Sequence, residues 1–204
     1  MLDQFEKELT DKGYHFICGV DEAGRGPLAG PVVAGAVILD PKHPIDGLND
    51  SKKLSSSMRE RLFQEIKKWA IASAVAIVSP ETIDQINVLE ASRLAMMQAI
   101  RQLTIAPDVV LSDFMELPEL DVLVMSLVKG DSRSMSIAAG SILAKVTRDR
   151  LMEAWAVRYP EYGFAKHKGY PTKEHLAMLQ RYGPCPIHRM SFKPVLLVTN
   201  QRSI

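Results

Sequence analysis

Asp21 and Glu22 stand side by side where an apolar run, Phe16-Ile17-Cys18-Gly19-Val20, gives way to a glycine-rich turn. Two further acids, Asp113 and Asp131, follow apolar runs at Val109-Val110-Leu111 and Val122 to Val128. If these runs are strands, three strands end in acid, and in open α/β sheets ligands gather at the carboxyl ends of strands. Four carboxylates in one pocket repel one another: two unit charges 4 Å apart cost about 4 kcal/mol at an effective dielectric of 20. Without cations some of them must protonate. An all-oxygen donor set suits Mg²⁺ or Mn²⁺ rather than Zn²⁺. Two such ions about 3.5–4 Å apart stabilise the attacking and leaving oxygens of a phosphodiester being cut. Singly, strand-end aspartates are also ordinary turn formers. The metal reading therefore needs the strands of Asp21, Asp113 and Asp131 to run parallel and close together. It also needs the first strand to end or bulge at Asp21, since neighbouring strand residues point to opposite faces.

Beside the first acids lies Gly24-Arg25-Gly26. Glycines let a ligand approach the backbone, and an arginine offers a fork for phosphate. Followed to Gly30 the stretch resembles a dinucleotide fingerprint, but that motif must open a helix, and here Pro27 and a second apolar run follow. Lys52, Lys53, Lys129, Lys145, Arg148 and the run Lys166-His167-Lys168-Gly169-Tyr170 are candidates for backbone phosphate contacts. Tyr170 can stack on a sugar or base.

The elements that must position these residues read as follows. Strands are expected over residues 16–20, ending at Asp21, then over Val32 to Leu39, Ala72 to Val78, Val109 to Leu111 and Val122 to Val128. Ser55 caps a helix through Trp69, and Ser79-Pro80-Glu81 opens a short helix to Asn87, with a longer one to Leu103 behind it. A helix over Met135 to Arg158 carries Ala139, Ile142, Leu143 and Val146 as its apolar stripe, with Lys145 and Arg148 opposite. Residues 1–13 form an amphipathic lead-in. After Tyr159 the texture turns to Gly, Pro, His, Lys and Tyr, with one further helix from Thr172 to Tyr182 stopped by Gly183. The order predicts an α/β domain with a mixed sheet: an antiparallel meander first, then strands joined by helical crossovers.

The 204 residues fit one sizeable domain with an appendage, and 47% hydrophobic residues suffice for a packed core. Net charge is only +1, so any nucleic acid must be held by a local patch. Two cysteines, Cys18 and Cys185, make neither a disulfide framework nor a zinc pattern and imply reduced thiols in the cytoplasm. The acidic N-terminus lacks a signal-peptide core, and no run of 18 apolar residues offers a membrane span.

The chain resembles the bacterial type 2 ribonucleases H. The matching pieces are Gly19 to Leu28, Leu48-Asn49-Asp50-Ser51-Lys52-Lys53-Leu54 and Lys129-Gly130-Asp131-Ser132. Ile137-Ala138-Ala139, Ser141 to Val146, Tyr162-Gly163-Phe164, His167 to Thr172, and His188-Arg189 with Ser191-Phe192 complete the set. The resemblance implies a ribonuclease H-like fold with a mixed five-stranded sheet flanked by helices. It also implies a catalytic domain over 1–160 and a C-terminal helical extension, 161–204, that contributes to substrate binding. The implied activity is hydrolysis of RNA in RNA–DNA hybrids and at single ribonucleotides embedded in duplex DNA, leaving 3′-hydroxyl and 5′-phosphate ends. The family's four metal-binding carboxylates fall on Asp21, Glu22, Asp113 and Asp131. Its element for the ribose 2′-hydroxyl and adjacent phosphate falls on Gly24, Arg25 and Gly26, and its junction tyrosine on Tyr170.

Two positions depart from the family pattern. Phe114 stands where a small residue is usual, at the head of an acidic loop, and Gly140 stands where alanine is usual. An interior helical glycine costs about 1 kcal/mol. Two other functions compete with a Mn²⁺- or Mg²⁺-dependent, monomeric nuclease. One is a non-catalytic nucleic-acid module, which needs no divalent metal; the other is an oxidoreductase, which rests on the glycine loop alone and requires nicotinamide binding.

Overall fold

The computed structural model describes residues 2–202. β1 (Ile17–Ala23), β2 (Val32–Ile38) and β3 (Ala72–Val78) form an antiparallel meander. β4 (Val109–Asp113) and β5 (Leu123–Leu127) add on in parallel, giving the order β3-β2-β1-β4-β5. β1 and β2 are almost wholly buried, which is why both read as apolar runs rather than as alternating strands.

Helices cover both faces. α3 (Pro80–Arg101) packs through Ile83, Ala91, Ala95 and Met96 on the face of β1 that carries Cys18 and Val20. Asn87 breaks its φ/ψ run, and the Asn87 Oδ1 accepts from the amides of Leu89 and Glu90, so two helices meet at a side-chain cap as expected. α2 (Ser56–Trp69) and α4 (Met135–Arg158) cover the other face through Leu62, Ile66, Ile142 and Leu143. The Ser55 Oγ accepts from the Met58 amide, as an N-cap should. α1 (Gln4–Asp11) closes the same side, with Leu9 against Ile17 and Leu111.

α4 lies unusually close to the sheet. A Cβ on Gly140 would sit 2.6 Å from the Gly35 carbonyl oxygen and 3.3 Å from the Asp21 amide nitrogen. The glycine that weakens the helix is what lets it press against β1 at the first acid.

Three expectations are corrected. β1 neither ends nor bulges at Asp21; it runs on in unbroken register with β2, pairing Asp21 with Gly35, Glu22 with Ala34 and Ala23 with Val33. What ends is the pairing on its other edge, since the parallel ladder to β4 stops at Val20 and Ser112. Second, the general expectation of helical crossovers fails between β4 and β5, where the expected acidic loop headed by Phe114 spans 114–122 and buries Met115 and Leu117 in the core. Third, Arg148 is 1% exposed rather than solvated beside Lys145, because residues 24–31 and Lys168 cover that side of α4.

Beyond residue 160 come α5 (Phe164–His167), α6 (Lys173–Tyr182) and α7 (Lys193–Arg202), the last not foreseen from sequence. Met152, Tyr162, Phe164, Cys185 and Ile187 pack with Ala29, and Leu179, Val195 and Val198 with Leu28. Of the lead-in, Met1 lies outside the described residues, as do Ser203 and Ile204 of the expected extension. Among the described residues no helix is long and apolar enough to cross a membrane.

Candidate active site

Asp21 and Asp113 sit on adjacent strands, on the face that α4 covers, and Asp131 follows on a 3₁₀ turn after β5. Lys129, at φ 55°, turns the chain back so that Asp131 arrives beside the other two. One carboxylate oxygen from each of Asp21, Asp113 and Asp131 lies within 4.8 Å of the others. The Asp113 Oδ1 accepts from the Gly130 amide at 2.7 Å, tying the end of β4 to that turn.

Glu22 stands just outside this group, near enough for the Asp113 charge to act on it. Its Oε1 meets Arg25 Nη1 at 3.4 Å, while its Oε2 is buried with no hydrogen-bond partner. A buried carboxylate oxygen without a donor is costly. Burial first, then the Glu22 and Asp113 charges, hold the Asp21 carboxyl well above the usual carboxylate range. Glu22 is raised by burial and by Asp113, against the pull of Arg25. Asp131 is raised by burial, Asp50 and Asp113, with Lys52 opposing. The Lys52 Nζ lies 3.7 Å from Asp131 Oδ2; burial works against its charge, yet Asp131, Asp21, Asp50 and Asp113 together raise its pKa. A protein cation thus leans over a pocket of crowded acids. All-oxygen donors, an orphaned buried carboxylate oxygen and mutual repulsion fit hard divalent cations.

The neighbouring surface is built differently. Gly24 takes φ +106°, and a Cβ there would fall 2.3 Å from Arg148 Nε. The buried guanidinium of Arg148 donates to the carbonyls of Pro31, Ala29 and Lys168 at 3.0–3.1 Å. That of Arg189 donates to the carbonyls of Gly30, Arg25 and Gly24. Burial pulls both pKa values down, to about 10 for Arg148 and about 9 for Arg189. Tyr170 projects from the far side, with a ring carbon 3.5 Å from where a Cβ on Gly26 would stand. Its ring is partly exposed beside the loop, and the main chain behind it is tied to the loop by the Leu28 amide on the Gly169 carbonyl.

Not every candidate converges here. Lys53 sits 4.0 Å from Asp50, Lys145 is paired with Asp149 at 2.7 Å, and Lys166 with Glu174 at 2.8 Å. Lys168 is held at 2.6 Å by Glu153 and donates to the Ala165 carbonyl. Phe114 adopts φ 52° beside Asp113 with its ring largely exposed. Sequence reasoning gave Arg148 the wrong role and Arg189 none beyond its place in a matching motif. For Arg189 the signal available was an arginine in a segment with no acidic neighbour, which suits a guanidinium that serves carbonyls; Arg148, next to Asp149, carried no such signal.

A mixed five-stranded sheet flanked by helices, with aspartates from two central strands and the following turn meeting at one end, defines a metal-dependent nuclease of the ribonuclease H class. The structural neighbours agree. The ribonuclease H2 of Pyrococcus horikoshii OT3 superimposes with a TM-score of 0.77 at 29% identity, covering 91% of this chain and 97% of that one. A Bst ribonuclease HIII solved in complex with Mn²⁺ gives 0.67 at 17% identity, over 91% and 70%, a likeness of fold alone. The family model for ribonuclease HII matches residues 18–195. The ribonuclease HII of Caldicellulosiruptor bescii is 55% identical over 189 residues, 93% of this chain and 92% of that protein. The chain belongs to the ribonuclease HII family, and it is an endoribonuclease.

Proposed function

We propose that this protein cuts the RNA strand of RNA–DNA hybrids, and cuts duplex DNA at single embedded ribonucleotides, with Mn²⁺ or Mg²⁺ held by Asp21, Glu22, Asp113 and Asp131. The observation that carries this is the three-aspartate cluster with the orphaned Glu22 Oε2 beside it. Bound divalent ions there supply Lewis-acid activation of water and charge stabilisation on the departing oxygen. The net reaction adds water across the P–O3′ bond, leaving a 3′-hydroxyl and a 5′-phosphate.

The chain's own groups do the rest. Gly24, Arg25 and Gly26 take the ribose 2′-hydroxyl and its phosphate, because Arg148 and Arg189 occupy the loop's inward carbonyls and fix its shape. Tyr170, over Gly26, packs on the deoxyribose that follows. Lys52 sits at the acid end for a phosphate that brings its own negative charge, and Lys53, beside Asp50, serves a neighbouring phosphate. Lys145 and Lys168 serve more distant phosphates after exchanging Asp149 and Glu153 for them. Residues 161–204 form a substrate-binding extension, since Tyr170 and Arg189 both come from it. The protein acts as a monomer, and its two free buried thiols suit the reducing cytoplasm.

The test is incubation with a duplex carrying one ribonucleotide, with Mn²⁺, with Mg²⁺ and with chelator. Cleavage at the ribonucleotide only when a divalent ion is present is expected. Cleavage in chelator, or binding without cleavage under every condition, refutes the proposal.

A further inference from the structure

Behind Tyr170 lies a buried row of polar rings with no part in the chemistry above. His167, His175 and His188 are all buried, walled by Tyr162 and Phe164. Their hydrogen bonds admit one arrangement of protons. The Cys185 amide points at His188 Nδ1 from 3.0 Å, and the Cys185 thiol lies 3.1 Å from the same atom. His188 Nδ1 is therefore an acceptor. The Cys185 carbonyl, at 3.3 Å, is already taken by the His188 amide at 2.9 Å. The His188 proton then sits on Nε2 and is donated to His175 Nε2, 3.1 Å away. His175 must carry its own proton on Nδ1, which donates to the Tyr170 carbonyl at 3.0 Å. Alongside, His167 stacks on His175 with centroids 4.5 Å apart, and its carbonyl accepts from the Tyr170 amide at 2.9 Å. Both backbone groups of Tyr170 are thus gripped, one by each histidine of the stacked pair.

We propose that His188 and His175 are positioning residues for Tyr170: a one-way chain of neutral imidazoles, from Cys185 to the Tyr170 carbonyl, sets where the ring stands over Gly26. The proposal rests on the reading of Tyr170 as the group that meets the deoxyribose after a ribonucleotide. A leucine or phenylalanine would fill the same space without polar atoms to satisfy. Two rings in series that end on one carbonyl, with a third stacked beside them, make sense if that carbonyl's position matters. A proton added to His175 would set two N–H groups facing each other across 3.1 Å, and one added to His188 would face the Cys185 amide N–H across 3.0 Å. Burial pushes His175 and His188 down to about 4, so the chain is neutral near pH 7.

The test has two readouts. The first is the ¹⁵N spectrum of the imidazoles in the intact protein at neutral pH. It should show His188 protonated on Nε2 and His175 on Nδ1, and any other tautomer pair overturns the relay. The second is the ratio of catalytic efficiencies on a single embedded ribonucleotide and on a continuous hybrid. It is measured for wild type, Tyr170→Ala, His188→Leu and His188→Gln. Leucine removes the donor to His175, whereas the glutamine amide can restore it. His188→Leu should lower the ratio about fivefold or more, in the direction of Tyr170→Ala, and His188→Gln should recover it to within about twofold (on the order of 1 kcal/mol separates these outcomes). If His188→Leu does not fold, His188→Asn replaces it, since asparagine can still accept from Cys185 but cannot reach His175. An unchanged ratio in the donor-less variant, while Tyr170→Ala changes it, overturns the positioning role. An unchanged ratio in Tyr170→Ala itself instead removes the reading of the tyrosine, and the positioning role falls with it.

Discussion

The acid end and the recognition loop lie a few residues apart on one chain and are stabilised in opposite ways. At the acid end, Asp21, Asp113 and Asp131 crowd together, Glu22 keeps a buried oxygen with no donor, and Lys52 and Arg25 lean in as counter-charges. In the loop, Arg148 and Arg189 satisfy five carbonyls, and Arg148 a sixth on Lys168, with no acid among them. By the function proposed, the acid end is completed by divalent cations. The loop is complete as folded. A site that must take up ions gains by leaving charge uncompensated. A site that must tell ribose from deoxyribose gains by a shape fixed before substrate arrives.

The sharpest way to break this contrast is to neutralise one acid. Asp21→Asn should lower cleavage about a thousandfold, which corresponds to roughly 4 kcal/mol of barrier. It should leave the protein folded and, in chelator, somewhat more stable, because repulsion is relieved. Kinetics alongside thermal denaturation decide this; near-normal cleavage would remove Asp21 from the metal site. The matching change in the loop should have the opposite sign on stability. Arg189→Met leaves three inward carbonyls without donors, at about 1–3 kcal/mol each. Urea unfolding should show a loss of about 3 kcal/mol or more. A neutral result would mean the loop holds its shape without the buried guanidinium.

How much of this could be read in the sequence follows the range of the forces involved. The ends of β4 and the turn at Asp131 were legible because strand-end acids follow visible apolar runs, and Ser55, Ser79 and Asn87 announce helix starts by local hydrogen bonding. The course of β1 was not, because the pattern does not say that one edge of a strand can lose its partner while the other keeps it. Arg148 read as solvated because helical spacing sees only its own helix, and the cover comes from residues 24–31 and Lys168, far away in sequence. Lys145 and Lys168 read as free charges because Asp149 and Glu153 also look like ordinary surface acids. The loop after Asp113 was legible but its burial was not, for a similar reason: Met115 and Leu117 reach the core from a loop whose acids suggest full exposure.

A smaller effect, spread over a window of pH, separates the histidine row from the acids. His175 and His188 titrate near 4 when folded and near 6.5 when unfolded. Between those values the unfolded chain binds more protons, so stability rises with pH there and is lost as pH falls from about 6.5 through about 4. Urea midpoints across that range should fall on acidification. In His188→Gln, one titrating ring fewer, they should fall less; an equal fall in both proteins would show that the loss comes from other groups.

The central claim is that the acid end is a divalent-cation site left unsatisfied by the fold, and the direct measurement is thermal melting against Mn²⁺ without substrate. Ligand at one hundred times its dissociation constant stabilises by about 2.7 kcal/mol. In a chain of this size that corresponds to a rise of about 5–10 °C. Wild type should show such a rise, while Asp21→Asn should start higher in chelator and gain little. A wild-type melting temperature indifferent to Mn²⁺, or an Asp21→Asn protein that melts lower in chelator yet gains as much from Mn²⁺, would contradict the account.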